Sequence, residues 1–154
     1  MHIISEDLQD ILWKKLYDEC KLVLRSGRLR KWIRVPGKSS IYHKDSPWTE
    51  EQENLINSFL EELVDDEIYA LDWQHDCFLF SPQEHIPFMY EYYDSDRDVQ
   101  VYFPTYYPDG DYHFFFDKEW KYGIFGHPWK QEIVVMGREL IEKFEDRKAD
   151  LGLV

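Results

Sequence analysis

Apolar residues recur every three or four positions near the start of the chain, which predicts an amphipathic helix. Ser5 is a suitable N-cap for this helix, and Gly27 is a residue type that commonly ends one. The apolar stripe consists of Leu8, Ile11, Leu12, Leu16, Cys20, Val23 and Leu24. We therefore expect the helix to continue to the end of this stripe.

The next segment, residues 25–44, is basic and contains Pro36 and Gly37, which predicts a loop with one edge strand at residues 32–35. A second helix begins either at Ser46 or at Thr49, where Gln52 can complete a capping box. Its buried stripe is Leu55, Ile56, Phe59, Leu60 and Leu63.

Runs of aromatic and β-branched residues predict strands at residues 67–72, 76–80, 99–103, 112–116, 122–125 and 132–136. The links between them are too short for helical crossovers, which favours antiparallel pairing. A last helix follows Gly137. We predict one α+β domain over residues 1–154, with an antiparallel sheet of about five to six strands and two N-terminal helices and one C-terminal helix packed on it.

The 154 residues include 44% hydrophobic and 18% aromatic residues, enough to build one core. The net charge of −13 is uneven, at +4 over residues 1–45 and −17 over residues 46–154. So much negative charge opposes binding to a phosphate backbone, and we expect no nucleic-acid partner.

Two cysteines are too few for a secreted disulfide framework, and the N-terminus has neither a basic nor an apolar leader segment. No uncharged apolar run approaches the ~18 residues that span a bilayer. These features predict a cytoplasmic protein without a membrane partner. They leave the oligomeric state open.

The densest cluster of reactive side chains is residues 72–77, where an extended backbone would turn His75 and Cys77 to one side. With His113 and His127 they could form a zinc site, or Cys77 could act as a thiol nucleophile beside a histidine. Neither arrangement is supported by the spacing of its residues or by an activating motif. Pairs of carboxylates of the kind used in glycoside hydrolysis are expected by chance in a chain with 31 acidic residues, so they do not indicate that activity either. We favour a buried, structural Cys77 and expect no catalytic residue, metal or cofactor.

Residues 123–129 combine two glycines, a proline and bulky rings. Packing into the core explains this composition, but aromatic walls with a few polar groups are also typical of small-molecule pockets. The residues that would form such a pocket are Trp73, His75, Asp111, His127 and Trp129.

Tyrosines are interspersed with acids between residues 90 and 111, and exposed tyrosines supply large contact areas at binding surfaces. Packing against a helix would explain them equally well. If they are exposed, they predict an acidic face for a basic protein partner. The candidate contacts are Tyr92, Tyr93, Asp94, Asp96, Asp98, Tyr106 and Asp109.

Three motifs, in this order, resemble those of the DUF2716 family of uncharacterised bacterial proteins. They are residues 69–75 (YALDWQH), 107–112 (YPDGDY) and 125–129 (FGHPW). The resemblance covers roughly residues 32–144, and residues 1–31 and 90–98 are less typical of it. It implies no activity and no catalytic residue.

Small, acidic bacterial proteins of this kind are similar in character to immunity proteins that neutralise toxins, which is an analogy of class alone. We therefore favour a non-enzymatic protein that occludes a basic toxin domain with its acidic, tyrosine-bearing surface. The alternative is a small-ligand-binding protein or hydrolase that uses the Trp/His/Asp pocket. A structural or regulatory adaptor is a third hypothesis.

Overall fold

Helices and strands follow one another along the chain in a computed structural model that describes residues 1–24 and 31–154. The helices in these ranges are α1 (Glu6–Asp18), α2 (Glu50–Leu63) and α3 (Arg138–Asp146). The strands are β1 (His2–Ile3), β2 (Ser39–His43), β3 (Ile68–Asp72), β4 (Phe78–Phe80), β5 (Glu91–Asp94), β6 (Val99–Tyr102), β7 (His113–Asp117), β8 (Gly123–His127) and β9 (Glu132–Met136).

Seven of the described strands form one antiparallel sheet in the order β1-β4-β3-β7-β8-β9-β2. The remaining two, β5 and β6, pair only with each other and form a separate ribbon. The chain is therefore a single α+β domain with an antiparallel sheet, as predicted.

Both faces of the sheet are covered by other parts of the chain. Strand β7 is therefore buried on both sides, which explains why apolar residues follow one another in it without alternating polar residues. Phe115 points to the face covered by α2 and α3, where it packs in one core with Ile56, Phe59 and Phe144. Its neighbours Phe114 and Phe116 point to the opposite face, in a second core with Leu12 and Leu16 of α1. Each fully buried side chain of this size stabilises the fold by roughly 1.5–3 kcal/mol.

Helix α1 starts where predicted, because the Ser5 hydroxyl accepts the Leu8 amide at 3.2 Å. It ends at Asp18, before the end of the apolar stripe, since Lys21 adopts a left-handed conformation (φ 52°) that turns the chain. Cys20 and Leu22 are still buried in the core beneath α1, although they follow the helix. The predicted end at Gly27 lies outside the described residues.

Of the two predicted starts for α2, the capping box of Thr49 and Gln52 is the one formed. Helix α3 follows Gly137, whose φ of 105° and whose contact with the Lys121 carbonyl, 2.5 Å from where a Cβ would lie, both exclude a side chain. Two N-terminal helices and one C-terminal helix are thus confirmed.

The predicted edge strand at residues 32–35 is wrong. Trp32 and Ile33 are buried without strand pairing, and the Trp32 indole donates a hydrogen bond to Glu132 at 3.1 Å. The edge beside β9 is formed instead by β2, in which Tyr42 is buried and its hydroxyl donates to Glu145 at 2.7 Å. With β1 and β2, the sheet is larger than the five to six strands predicted.

Candidate functional site

Asp72 and His113 lie directly opposite each other, at the end of β3 and the start of β7. Paired residues on neighbouring antiparallel strands point to the same face of the sheet. Their side chains therefore meet, with 3.4 Å between Asp72 Oδ2 and His113 Nε2, and both are buried. This pair is the fixed base of a cluster that we call the Asp/His cluster: Asp72, His75, Asp111 and His113.

His75 reaches the Asp/His cluster because the chain bends after Asp72 and does not continue as a strand. Its Nδ1 lies 3.0 Å from Asp72 Oδ2 and 4.0 Å from Asp111 Oδ2. The Gln74 amide in the same bend donates to Asp72 Oδ1 at 3.1 Å and to Asp111 Oδ2 at 2.9 Å. One backbone N–H thus holds the two carboxylates together.

The pKa values of the two carboxyl groups are shifted in opposite directions. Burial alone would raise the pKa of both, but the hydrogen bond and the charge of His113 keep the pKa of Asp72 well below its usual range. At Asp111, burial and then the neighbouring Asp72 carboxylate raise the pKa to about 6. Asp111 can therefore exchange a proton near neutral pH, while Asp72 stays ionised.

Backbone carbonyls fix the tautomer of His113. Its Nδ1 lies 2.8 Å from the Thr105 carbonyl oxygen and 2.9 Å from that of Tyr107, so Nδ1 must carry the proton. Burial on its own would lower the pKa of His113, but Asp72 and these carbonyls outweigh it and raise the pKa. His113 consequently joins β7, the Asp72 carboxylate and the loop at residues 104–111.

Glu53 of α2 holds the same loop from the other side, a role that the sequence pattern does not predict. Its two carboxylate oxygens accept the amides of Tyr106 and Tyr107 at 2.7 and 3.1 Å. Burial raises the pKa of this carboxyl group to about 7, although the two amides oppose the shift. A glutamate within the stripe of α2 looks like an ordinary surface acid, and only its burial identifies its role.

A cavity of about 250 Å³ opens beside the Asp/His cluster, and Asp72, His75 and His113 form part of its wall. His75 is 46% exposed, whereas the other two side chains lie behind it. The remaining lining comes from the ribbon and from the loops that flank it: Met89, Tyr90, Glu91, Tyr102, Phe103, Pro104, Thr105 and Asp109.

The five residues of the predicted aromatic pocket do not come together. His75 and Asp111 belong to the Asp/His cluster, whereas Trp73, His127 and Trp129 gather around the Tyr112 ring, with centroid distances of 6.5, 4.8 and 5.7 Å. The two groups are separated because successive side chains along a strand point to opposite faces of the sheet. Tyr112 precedes His113 and therefore points to the face opposite to that of His113. His127 is buried there against Trp32.

The hypotheses of a zinc site and of a thiol nucleophile beside His75 both required the Cys77 side chain to lie beside that of His75, and it does not. The bend after Asp72 breaks the expected alternation, and the Cys77 thiol donates to the Asp72 backbone carbonyl at 3.5 Å, inside the core beneath α1. Burial raises the pKa of this thiol to about 11, so very little of the thiolate needed for nucleophilic attack is present near neutral pH. Cys77 is buried, as favoured from the sequence.

The predicted partner-binding residues divide by exposure. Tyr93, Asp96, Asp98 and Asp109 are exposed. Asp94 is half-buried and pairs with Arg97 at 2.7 Å, and Tyr92 is half-buried against the core. The expectation of an exposed Tyr106 is wrong, because its ring is 7% exposed and its hydroxyl donates to Asn57 at 2.7 Å.

Across residues 1–24 and 31–154, no helix is both long enough and apolar enough to pass through a lipid bilayer.

Comparison with known proteins identifies the family. The model for "Protein of unknown function (DUF2716)" matches residues 4–141, so it takes in α1, which the three motifs alone left out. The chain is also similar to "Uncharacterized protein YxiI" of Bacillus subtilis (strain 168), with 41% identity over 81 residues. That match covers 53% of this chain and 45% of the relative, so the chain spans less than half of the relative's length. No solved structure matches the chain. The chain belongs to the DUF2716 family.

Proposed function

We propose that this chain is a non-enzymatic, immunity-type protein that binds and neutralises a basic toxin domain through the ribbon of β5 and β6. The observation that carries this proposal is the outward face of the ribbon. The face consists of Glu91, Tyr93, Gln100 and Tyr102, all exposed, with Asp96 and Asp98 at the connecting turn.

The opposite face of the ribbon is packed against the core, which holds the outward face in place. Tyr92 and Val101 are paired across the two strands and point inward, and Val101 is fully buried in the core beneath α2 and α3. Side chains alternate along a strand, so anchoring Tyr92 and Val101 turns their neighbours outward. A preorganised contact surface loses less conformational entropy on binding than a flexible loop does.

The charge of the ribbon suits a basic partner. Arg97 is the one basic residue between positions 90 and 102, and its guanidinium group contacts Asp94 at 2.7 Å and Asp76 at 2.9 Å. Those two acids therefore neutralise the charge of Arg97. The charges of Glu91, Asp96 and Asp98 remain and give the ribbon a net negative charge. Complementary charge of this kind accelerates association and selects against acidic partners.

The tyrosines add contact area within this acidic field. Tyr93 is 57% exposed and Tyr102 44% exposed, so both rings would lose a large apolar surface on binding. The Tyr93 hydroxyl donates to Asp98, which restricts the ring before a partner arrives. Aromatic residues that are both rigid and amphipathic are typical of binding surfaces.

The test uses the purified protein product of the adjacent gene as the candidate toxin and measures association by surface plasmon resonance at several salt concentrations. Replacing Glu91→Gln, Asp96→Asn and Asp98→Asn together should slow association about tenfold and flatten its salt dependence. The matched control makes the same charge change on the exposed residues Asp10, Glu142 and Asp146, and should leave association nearly unchanged.

Association that responds neither to salt nor to the ribbon substitutions would contradict the proposal, as would an equal loss in the control variant. A basic protein of unrelated fold and similar charge should bind much more weakly than the toxin domain. Equal binding of the two would show general attraction of cations and no specific partner.

A further inference from the structure

We propose that Asp72, His75 and Asp111 bind a divalent first-row transition-metal ion such as Zn²⁺ or Mn²⁺, at the wall of the cavity beside the ribbon. Within residues 1–24 and 31–154, they are the one group of three or more His, Cys, Asp or Glu side chains with mutually close ligand atoms. Glu91 and Tyr102 of the ribbon face also line this cavity, but metal binding by Asp72, His75 and Asp111 does not depend on a toxin partner.

The distances among the ligand atoms suit a single ion. Two ligands bound at ~2.1 Å to one metal lie at most ~4.2 Å apart. His75 Nδ1 lies 3.0 Å from Asp72 Oδ2 and 4.0 Å from Asp111 Oδ2, and all three ligand atoms lie within 4.8 Å of one another. Binding therefore requires only a small closure of the two carboxylates around the ion.

Hydrogen bonds already orient the ligands. The Gln74 amide donates to both Asp72 and Asp111, and the Tyr112 amide donates to Asp111 Oδ1 at 2.7 Å. Behind Asp72, His113 is held by the carbonyls of Thr105 and Tyr107. Such outer contacts fix ligand geometry in metal sites and contribute strongly to affinity.

The position of the cluster leaves room for further ligands. Asp72 and His75 line the cavity of about 250 Å³, and His75 is 46% exposed. Water or an oxygen atom of a bound small molecule can therefore occupy the remaining coordination positions. A three-ligand site with an open position is the arrangement found in catalytic metal centres, whereas structural zinc sites are closed by four protein ligands.

The ligand types narrow the choice of ion. One imidazole with two carboxylates suits Zn²⁺, Mn²⁺ or Fe²⁺, whereas Ca²⁺ needs six to eight oxygen ligands. Soft ions that prefer thiolates are disfavoured, because Cys77 is directed into the core beneath α1.

The experiment measures metal binding to the full chain after treatment with a chelator. Titration with Co²⁺ is followed by visible absorption, and binding of Zn²⁺ and Mn²⁺ is measured by calorimetry. The main variant is His75→Ala, chosen because His75 is partly exposed and its removal leaves the buried Asp72–His113 pair intact. The matched control is His85→Ala. His85 Nε2 also lies 3.0 Å from a carboxylate, that of Glu61, but in the part of the chain that the structure describes this pair belongs to no group of three close ligands.

We expect the natural chain and His85→Ala to bind one ion per chain, with absorption bands typical of Co²⁺ bound to nitrogen and oxygen. His75→Ala should bind at least about tenfold more weakly and lose those bands. Asp111→Asn should weaken binding similarly, with an unchanged circular dichroism spectrum as the check on folding. Absence of saturable binding, or equal affinity of His75→Ala and the natural chain, would overturn the proposal and show a purely hydrogen-bonded cluster.

Discussion

His113 and His127 lie on adjacent paired strands, yet their rings occupy opposite faces of the sheet, and the two faces shift their pKa values in opposite directions. His113 pairs with Gly126, so His127 is one position out of register and points to the other side. Asp72 and two carbonyls raise the pKa of His113, whereas burial, with a smaller effect of Lys130, lowers that of His127 to about 4. Two buried imidazoles on neighbouring strands thus have pKa values that are shifted in opposite directions.

Nuclear magnetic resonance of the metal-free protein should show this difference directly. The Lys130 amide donates to His127 Nδ1 at 3.2 Å, so the neutral ring carries its proton on Nε2. His113 should instead carry a proton on Nδ1, and it should stay doubly protonated to a higher pH than an ordinary histidine. Nitrogen-15 chemical shifts of the two rings, followed from pH 4 to pH 9, measure both properties; identical tautomers or a common midpoint would contradict this prediction.

Replacing Glu53→Gln should destabilise the fold by about 1–3 kcal/mol near pH 5, where most of the stabilisation by Glu53 is still present. The Tyr106 and Tyr107 amides use different oxygens of Glu53, and in glutamine one of these is replaced by an NH2 group, which cannot accept a hydrogen bond. One buried amide then faces a donor, and a buried donor without a partner costs this amount. Urea denaturation followed by tryptophan fluorescence measures the change. Glu51→Gln, on the exposed face of the same helix, is the control and should change the stability by less than about 0.5 kcal/mol.

The contribution of Glu53 to stability should also depend on pH. The pKa of Glu53 is about 7 in the folded chain against an ordinary value of 4.5, so folding takes up a proton between these values. The contribution is therefore fully present below pH 4.5 and falls, by up to about 3 kcal/mol, as pH rises to 7. The test is the difference in unfolding free energy between the natural chain and Glu53→Gln from pH 4.5 to pH 8. A difference that grows with pH would have the wrong sign.

Replacing Gly126→Ala should destabilise the chain by roughly 1–3 kcal/mol, because an added Cβ would lie 2.7 Å from ring atoms of Pro108, in the loop that carries Asp111. The proline ring is rigid, so the loop itself must shift. Gly37→Ala is the control, since its Cβ would meet only the flexible Met136 side chain, at 3.2 Å. Thermal unfolding of both variants measures the effect, and equal melting temperatures would contradict the expected role of this contact.

The sequence predicted most of the regular structure because local patterns carry that information. Residues 132–136 were predicted as a strand from their apolar run, and β9 has these bounds. The Thr49 capping box and the helix after Gly137 also follow from short-range chemistry. The prediction of an edge strand at residues 32–35 was wrong. Trp32 is a residue type that favours strands, but here its side chain is packed in the core and donates a hydrogen bond to Glu132.

By itself, the sequence determined the fold class, the division of charge between the two parts of the chain and the family. These features depend on the periodicity, composition and motifs of neighbouring residues. Only the tertiary structure decided which reactive side chains meet. Asp72 and His113 are joined by pairing of β3 with β7, strands that are far apart in sequence, and a shift of one residue places His127 on the other face. Burial, likewise a property of the whole fold, separated the exposed Tyr93 from the buried Tyr106.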